Sequence, residues 1–160
     1  MRSDSPSHYR SGTALIAVHD AAAALEFYQR AFDARLGTRL DAPDGRVMHA
    51  ALLIDDSAIV VVDEMPEVGL RSPKHYGGAP FSILLACVDA DAAHARAVAA
   101  GARALAPVQA DFSGGRHGLV QCPFGHRWLL SSRTEDLSLD EIARRFHDWL
   151  AAGEPVELQP

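Results

Sequence analysis

The stretch Ala14-Leu-Ile-Ala-Val-His-Asp20 recurs 69 residues later as Ile83-Leu-Leu-Ala-Cys-Val-Asp89. Each copy is a short apolar run that ends in an aspartate, and an alanine-rich segment follows it. A short apolar run is typical of a covered β-strand, and aspartate is a favoured helix N-cap because its carboxylate accepts backbone N–H groups. The ungapped identities continue as far as Leu36 on Leu105. The chain therefore contains an internal duplication.

A helix is predicted after each aspartate. In the first copy the apolar positions recur at helical spacing, at Ala21, Leu25, Tyr28 and Phe32. In the second copy the inner positions are small, at Ala93, Ala97 and Ala100. Gly101 then suits the left-handed residue that ends many helices. Both copies thus open with a strand followed by a helix.

Three further strands are predicted in each copy, separated by turn residues. They are 35–40, 47–54 and 58–62 in the first copy and 103–108, 117–121 and 127–131 in the second. The pattern is β-α-β-β-β twice, which predicts an α+β fold within a single domain spanning 1–160. Its parts are a first module at 12–67, a linker at 68–78, a second module at 79–134 and a C-terminal helix at 135–152. The linker contains proline and glycine and is expected to be an exposed crossing.

The C-terminal helix begins with a capping-box spacing, because Glu141 follows Ser138 by three residues. Its apolar positions form a broad amphipathic face: Leu139, Ile142, Ala143, Phe146, Trp149 and Leu150. Such a face is expected either to pack on its own domain or to form a subunit interface. The sequence leaves both alternatives open.

Composition excludes several classes of partner. The chain has 160 residues, 48% apolar and 22% charged, as in globular proteins. Fifteen basic residues against twenty-one acidic ones give a net charge of −6, which disfavours nucleic-acid binding because that affinity comes from neutralised phosphates. No apolar run is long enough to span a membrane, and the polar N-terminus lacks a signal-peptide pattern. With only two cysteines, expected as buried thiols, we predict a cytoplasmic protein.

Four segments in these modules resemble a known family. They are Leu25-Glu-Phe-Tyr28, Gly45-Arg-Val-Met-His-Ala50, Phe112-Ser-Gly-Gly-Arg-His-Gly118 and Cys122-Pro-Phe-Gly-His-Arg-Trp128. Together with the paired modules they resemble the vicinal-oxygen-chelate superfamily of glyoxalases, bleomycin-resistance proteins and extradiol dioxygenases, in its PhnB-like branch. The resemblance implies two curved mixed sheets around a cleft that binds a small molecule. It also implies a homodimer.

At the positions where this resemblance implies metal-coordinating residues, the sequence has no side chain that coordinates a metal ion. In glyoxalase-type members the first and last strands of each module supply them, and here those positions are Thr13, Ser82 or Ile83, Val60 or Val61, and Leu129. Metal ions need nitrogen, sulfur or carboxylate donors, which these side chains do not supply. The sequence therefore predicts no particular cofactor and disfavours a divalent metal, and we expect a binding protein for resistance or detoxification. The alternative is a metal-dependent lyase, isomerase or dioxygenase with rearranged ligands, so whether the protein is an enzyme stays open.

His49 and Asp63 are candidate ligand-binding residues of the first module. His49 lies in the middle of an apolar predicted strand, where it either contacts a ligand or is a core histidine with a local hydrogen bond. Asp63 ends the neighbouring strand, either as a solvated acid or as the group that fixes the His49 tautomer. The alternative metal site would draw on both.

The second module supplies Arg116, His117 and Trp128 as ligand-binding candidates. Arg116 either clamps an anionic ligand or pairs with a surface acid. Trp128 either stacks on a flat ligand or belongs to the core, and His117 is a further candidate ligand of a rearranged metal site. Gly125 and His126 are assigned to a structural turn that His126 braces, and His126 is also a candidate ligand of the rearranged metal site.

Overall fold

The computed structural model describes Tyr9 and residues 12–153. It divides into two compact units, with the boundary between Gly78 and Ala79 at the end of the predicted linker. The polar N-terminal residues 1–8, on which the signal-peptide argument rests, lie outside the described residues.

The elements of the first unit are β1 (Leu15–Val18), α1 (Ala21–Phe32), β2 (Arg35–Asp41), β3 (Val47–Ile54) and β4 (Ser57–Asp63), then a 3₁₀ turn (Pro66–Val68) and α2 (Pro73–Tyr76). Those of the second unit are β5 (Ser82–Ala86), α3 (Ala90–Ala99), β6 (Arg103–Ala110), β7 (Gly115–Gln121), β8 (Arg127–Arg133) and α4 (Leu139–Ala152). The α+β class and the repeated β-α-β-β-β order are confirmed.

Both units build the same four-stranded mixed sheet. The strand orders are β1-β4-β3-β2 and β5-β8-β7-β6. In each sheet the first strand pairs in parallel with the last, and the other pairs are antiparallel. The duplication seen in the sequence is therefore a duplication of topology.

The helix caps predicted from sequence are present. The Asp20 carboxylate accepts a hydrogen bond from the Ala23 N–H at 3.0 Å, and Asp89 does the same for Ala92 at 3.0 Å. Gly101 has a φ of 115°, in the left-handed region. The predicted inner residues of α1 are all buried, at most 4% exposed: Ala21, Leu25, Tyr28 and Phe32.

The two faces of the first sheet have different covers. On the face under α1, Ile16, Val18 and Val61 are at most 1% exposed. The face opposite α1 carries a separate apolar cluster of Ala17, Val60, Val62 and Met65, against which Tyr9, Met48 and Leu70 pack. The register of β2 on β3 shifts between Leu40 and Asp41, beside His49, so side-chain alternation is interrupted there.

The two faces of the second sheet also differ in what covers them. On the face under α3, Val120, Trp128 and Leu130 are fully buried. Gly118 lies on this face, where a Cβ would come within 3.0 Å of His94 on α3. The face opposite α3 carries Leu84, which is 61% exposed.

The segment between the modules is more structured than predicted. Instead of an exposed crossing it contains the 3₁₀ turn and α2, and Ser72 and Pro73 are buried. Proline at the start of each short helix and glycine at its end explain this, because Gly69 and Gly77 have φ values of 79° and 74°.

Helix α4 contacts its own unit through part of its apolar face, and both alternatives for that face stay open. Phe112, in the β6–β7 loop, contacts Phe146 and Trp149 with ring centroids 4.9 and 5.6 Å away. Among the described residues, no strand and no other helix packs against α4. Leu139 and Leu150 stay 85% and 54% exposed, so a large part of the apolar face is uncovered.

The two cysteines are not joined by a disulfide. Cys122 is buried, while Cys87 is only partly buried, so the expectation of two buried thiols is half right. Burial raises the pKa of the Cys87 thiol, whose Sγ lies 3.3 Å from the Ser131 carbonyl oxygen. In the described part of the chain no helix is long and apolar enough to cross a membrane.

Candidate functional site

His49 lies on the face of the first sheet opposite α1. Its Nε2 is 2.6 Å from the hydroxyl of Tyr9, and the two rings meet edge to face with centroids 6.0 Å apart. When the Tyr9 hydroxyl donates this hydrogen bond, the neutral imidazole carries its proton on Nδ1. His49 is thus an oriented, half-buried polar group at the margin of the apolar cluster.

Sequence reasoning missed Tyr9. It stands alone in a polar N-terminal segment with no periodicity, and only the three-dimensional contact with His49 marks it. The pair presents imidazole and phenol groups next to Met48 and Val62. Such a combination suits a small, partly apolar molecule that also offers a hydrogen-bonding atom.

Asp63 takes a position that neither sequence alternative described. Its Oδ1 accepts the Ala21 N–H at the start of α1, and its Oδ2 accepts the Val47 N–H at the start of β3, both at 2.7 Å. The carboxylate therefore joins β4, α1 and β3. Its role as a ligand contact stays a prediction.

Glu64, the next residue, anchors the segment that follows β4. Its Oε1 accepts hydrogen bonds from the Ser72 hydroxyl at 2.6 Å and from the Ser72 N–H at 2.8 Å. These bonds hold the pKa of the Glu64 carboxyl below its ordinary value. The two adjacent carboxylates therefore hold the start of α1, the start of β3 and the residue before α2 by hydrogen bonds.

Arg116 and Trp128 lie on the face under α3. Arg116 forms a bidentate ion pair with Asp91 in the first turn of α3, at 2.6 and 2.9 Å. This hydrogen bonding lowers the pKa of the Asp91 carboxyl. Trp128 is 0% exposed. Of the alternatives left open by the sequence, the structure places Arg116 with a surface acid and Trp128 in the core.

His117 lies on the face opposite α3. Its Nε2 is 3.0 Å from Oδ2 of Asp111 and 3.3 Å from the hydroxyl of Ser113. That hydroxyl also donates to Oδ1 of Asp111 at 2.5 Å. Both partners approach the same ring nitrogen, so the three residues brace the β6–β7 loop and do not form a relay across the two imidazole nitrogens.

The predicted structural turn joins β7 to β8. Cys122 donates its N–H to the His126 carbonyl at 2.9 Å, and Gly125 donates to the Cys122 carbonyl at 3.0 Å. Gly125 has a φ of 90°, which favours glycine. His126 is 4% exposed, with its ring 5.9 Å from that of Phe81.

The repeat gives His49 and His117 equivalent positions. His49 precedes Ala51 by two residues, and His117 precedes Leu119 by two. Ala51 pairs with Val60 on β4 as Leu119 pairs with Leu129 on β8. Each sheet therefore has one histidine at the same place on the face that its helix leaves uncovered.

The described residues of either unit contain no group of three His, Cys, Asp or Glu side chains that could hold a metal ion. Val60 and Leu129, at two of the positions implied by the family resemblance, are apolar members of the faces opposite the helices. Of the four residues nominated for a rearranged metal site, His49 and Asp63 lie in the first unit, and His117 and His126 lie in the second.

Two β-α-β-β-β units with identical strand order, each with a face left uncovered by its helix, define the class of paired-module α+β proteins. The chain belongs to the Glyoxalase/Bleomycin resistance protein/Dioxygenase superfamily, whose family model matches residues 8–130.

Relatives and solved structures agree with this assignment. An uncharacterized protein from Mycobacterium bovis is 39% identical over 130 residues, which cover 79% of this chain and 86% of that protein. A PhnB protein from Bacillus cereus has a TM-score of 0.59 at 17% identity, covering 77% of this chain and 99% of its own. The fosfomycin resistance protein FosX from Mesorhizobium loti has a TM-score of 0.58 at 18% identity, covering 85% and 98%. The two structures show the shared fold.

Proposed function

We propose that this protein binds a small, partly apolar organic molecule on the sheet faces opposite α1 and α3. The observation that carries the proposal is the Tyr9–His49 pair, with its 2.6 Å hydrogen bond, at the margin of the apolar cluster. An oriented polar pair beside apolar side chains is the usual composition of a small-molecule site. His117, at the equivalent position of the second sheet, is part of the same proposal.

The biological role we propose is resistance or detoxification by binding, in the cytoplasm. The superfamily description includes bleomycin resistance, and FosX is by title a fosfomycin resistance protein. The absence of a disulfide between Cys87 and Cys122 is compatible with a reducing compartment. Reaction chemistry is not part of this proposal.

The test is a thermal-shift screen with bleomycin, fosfomycin and a set of small aromatic compounds. A compound that raises the melting temperature of the wild type should raise it less for Tyr9→Phe and His49→Gln, because each variant loses the oriented pair. His147→Gln, an exposed histidine on α4, is the matched control and should behave as wild type. A stabilising compound whose effect is unchanged in both site variants would contradict the proposed site.

Metal analysis addresses the alternative function. Protein purified without a histidine tag is expected to contain no stoichiometric Ni, Zn, Fe or Mn, and adding these ions should not raise its melting temperature. One bound equivalent of any of them would favour the metal-dependent lyase, isomerase or dioxygenase and would overturn the metal-free proposal.

The homodimer implied by the family is also a proposal. The exposed apolar residues Leu139 and Leu150 make α4 the surface to test. Truncation after Thr134, and separately Leu139→Ser with Leu150→Ser, should convert a dimer into a monomer in sedimentation experiments if α4 forms the interface. An unchanged dimer removes α4 from it.

A further inference from the structure

The face of the second sheet opposite α3 is arranged in three rows, each with one residue from each strand. Strand pairing gives Arg103–Gln121–Arg127–Ser82, then Ala106–Leu119–Leu129–Leu84, then Gln109–His117–Ser131–Ala86. Neighbouring strands are about 4.8 Å apart, and rows two residues apart are about 6.7 Å apart. A row with two arginines therefore lies directly beside a row of leucines.

Arg127 is a cation for which the described part of the chain offers no counter-charge. Its Nε is buried and has no hydrogen-bond partner among those residues. Gln121, which pairs with it across the strands, is already engaged: its Oε1 accepts from Arg103 at 3.0 Å, and its Nε2 donates to the Gly125 carbonyl at 3.3 Å. Among the described residues no carboxylate forms an ion pair with Arg127, whereas Arg116 has Asp91. A half-buried arginine with no carboxylate paired to it is suited to bind an incoming anion through its guanidinium group.

The duplication supplies an internal comparison. The equivalent row of the first sheet is Arg35–Leu53–Ala58, so alanine takes the place of Arg127 and leucine that of Gln121. Ala58 is 8% exposed and packs as an ordinary buried residue. The fold therefore does not require an arginine at this position, and the arginine is a feature of the second sheet alone.

We propose that the ligand of the second sheet is an organic anion. Arg127 binds its carboxylate, sulfonate or phosphonate group, and its apolar body lies across Leu129 and the 61% exposed Leu84. This inference rests on the proposed small-molecule function and adds the chemical class of the ligand. It moves the anion-binding role from Arg116, which α3 already neutralises, to Arg127.

The test compares two dyes that differ by one sulfonate: 8-anilinonaphthalene-1-sulfonate and uncharged N-phenyl-1-naphthylamine. The full-length wild type should bind the anionic dye at least about tenfold more tightly, and high salt should weaken only that dye. Arg127→Gln should bring the anionic dye down to the affinity of the uncharged one and leave the uncharged dye within about twofold. Arg35→Gln, at the end of the equivalent row of the first sheet, is the matched control and should change neither.

The outcomes separate the two proposals. If neither dye binds, the proposed small-molecule function fails at this face. If both bind equally to the wild type, or if Arg127→Gln weakens both alike, the anion assignment is overturned while the binding function stands. Should Arg127→Gln not fold, Arg127→Lys takes its place. If Arg127→Lys still prefers the anionic dye and loses this preference at high salt, the assignment is supported. A preference for the anionic dye that does not depend on salt overturns it.

Discussion

Asp63 joins three segments of the first unit through two backbone hydrogen bonds of 2.7 Å. Asparagine at this position keeps the shape, but its amide nitrogen turns a donor toward one of the two N–H groups. We expect Asp63→Asn to lower the free energy of unfolding by about 1–3 kcal/mol, since a charge-assisted hydrogen bond is lost and a donor is left unpaired. Urea unfolding followed by circular dichroism measures this.

The control is Asp55→Asn. Asp55 is exposed in the β3–β4 turn, and its φ of 51° is a conformation that asparagine also adopts readily. It should change the unfolding midpoint little. Equal effects at both positions would show that Asp63 acts only through its charge and not through its two bonds.

Gly114 is a second residue whose identity the backbone requires. It has a φ of 76°, and a Cβ there would lie 2.8 Å from Cδ1 of Leu137 and 3.0 Å from Cβ of Glu135. We expect Gly114→Ala to destabilise the second unit by more than about 1 kcal/mol, through strain and the displaced segment before α4. Gly77→Ala has a similar φ of 74° with nothing within 4 Å, so it isolates the strain alone and should cost less.

Single residues were unequally predictable. The caps Asp20 and Asp89 follow from local chemistry, and the structure has both. The role of Arg116 could not be decided from the sequence because its partner Asp91 lies 25 residues away. At that separation the sequence does not show which side chains come into contact. Tyr9 gave no signal, and Arg127 was passed over because the side of the sheet on which it lies depends on strand pairing.

At the scale of elements, α4 is stabilised by ion pairs within the helix as well as by its aromatic contacts with Phe112. Arg144 and Arg145 both donate to Glu141, at 2.7 and 2.8 Å, and lower the pKa of its carboxyl to about 2. Because the folded-state pKa is depressed, the stabilisation is complete above the ordinary value of 4.5 and is lost as the pH falls from there toward 2.

Carboxyl chemical shifts measure this directly. Glu141 should titrate near pH 2 in the wild type, and Arg144→Gln should move its midpoint up toward 4.5, since the larger of the two contributions is removed. Arg30→Gln, on α1, should leave the Glu141 midpoint where it was. A wild-type midpoint near 4.5 would mean that the ion pairs do not persist in solution.

The strands and long helices were predicted better than the segments that connect them and the way the helices pack. Within residues 12–153, all eight strands and the three long helices follow from periodicity and caps. The short helix α2 and the 3₁₀ turn were missed because their prolines and glycines are equally typical of loops. Whether α4 packs inward or outward depends on Phe112, a loop residue with no periodic signature.

At the scale of the molecule, the residue at a position in one module predicts which substitutions the equivalent position of the other module tolerates. Arg127→Ala copies the residue that the first sheet has at the equivalent position, and it should keep the melting temperature within a few degrees. Ala58→Arg makes the reverse exchange at a site only 8% exposed, and burying an unpaired charge there should cost several kcal/mol. Thermal denaturation of both variants gives the comparison.

A contrary result would be equally informative. If Ala58→Arg were tolerated, the face of the first sheet opposite α1 would be open at that position. If Arg127→Ala unfolded the protein, the arginine would be part of the packing of the second unit. Equivalent positions in the two rows would then contribute differently to stability.

The fold of the whole chain was within reach of sequence reasoning, whereas the site was not. Duplication, strand runs and the Cys122–Trp128 segment together specify the superfamily. Ligand recognition depends on which face of the sheet each side chain occupies. A shift of one residue in strand register would move a side chain to the other face. Arg116 and Arg127 illustrate this, because sequence alone cannot assign them to opposite faces.

Carrying two versions of one template has an evolutionary consequence. The first version, with Ala58 and a closely packed apolar cluster, can maintain the architecture while the second version accumulates changes on its exposed leucine row. Selection for a new compound would then act mostly on one half of the gene. We expect descendants with different specificities to diverge fastest at the codons for Leu84, Arg127 and Leu129.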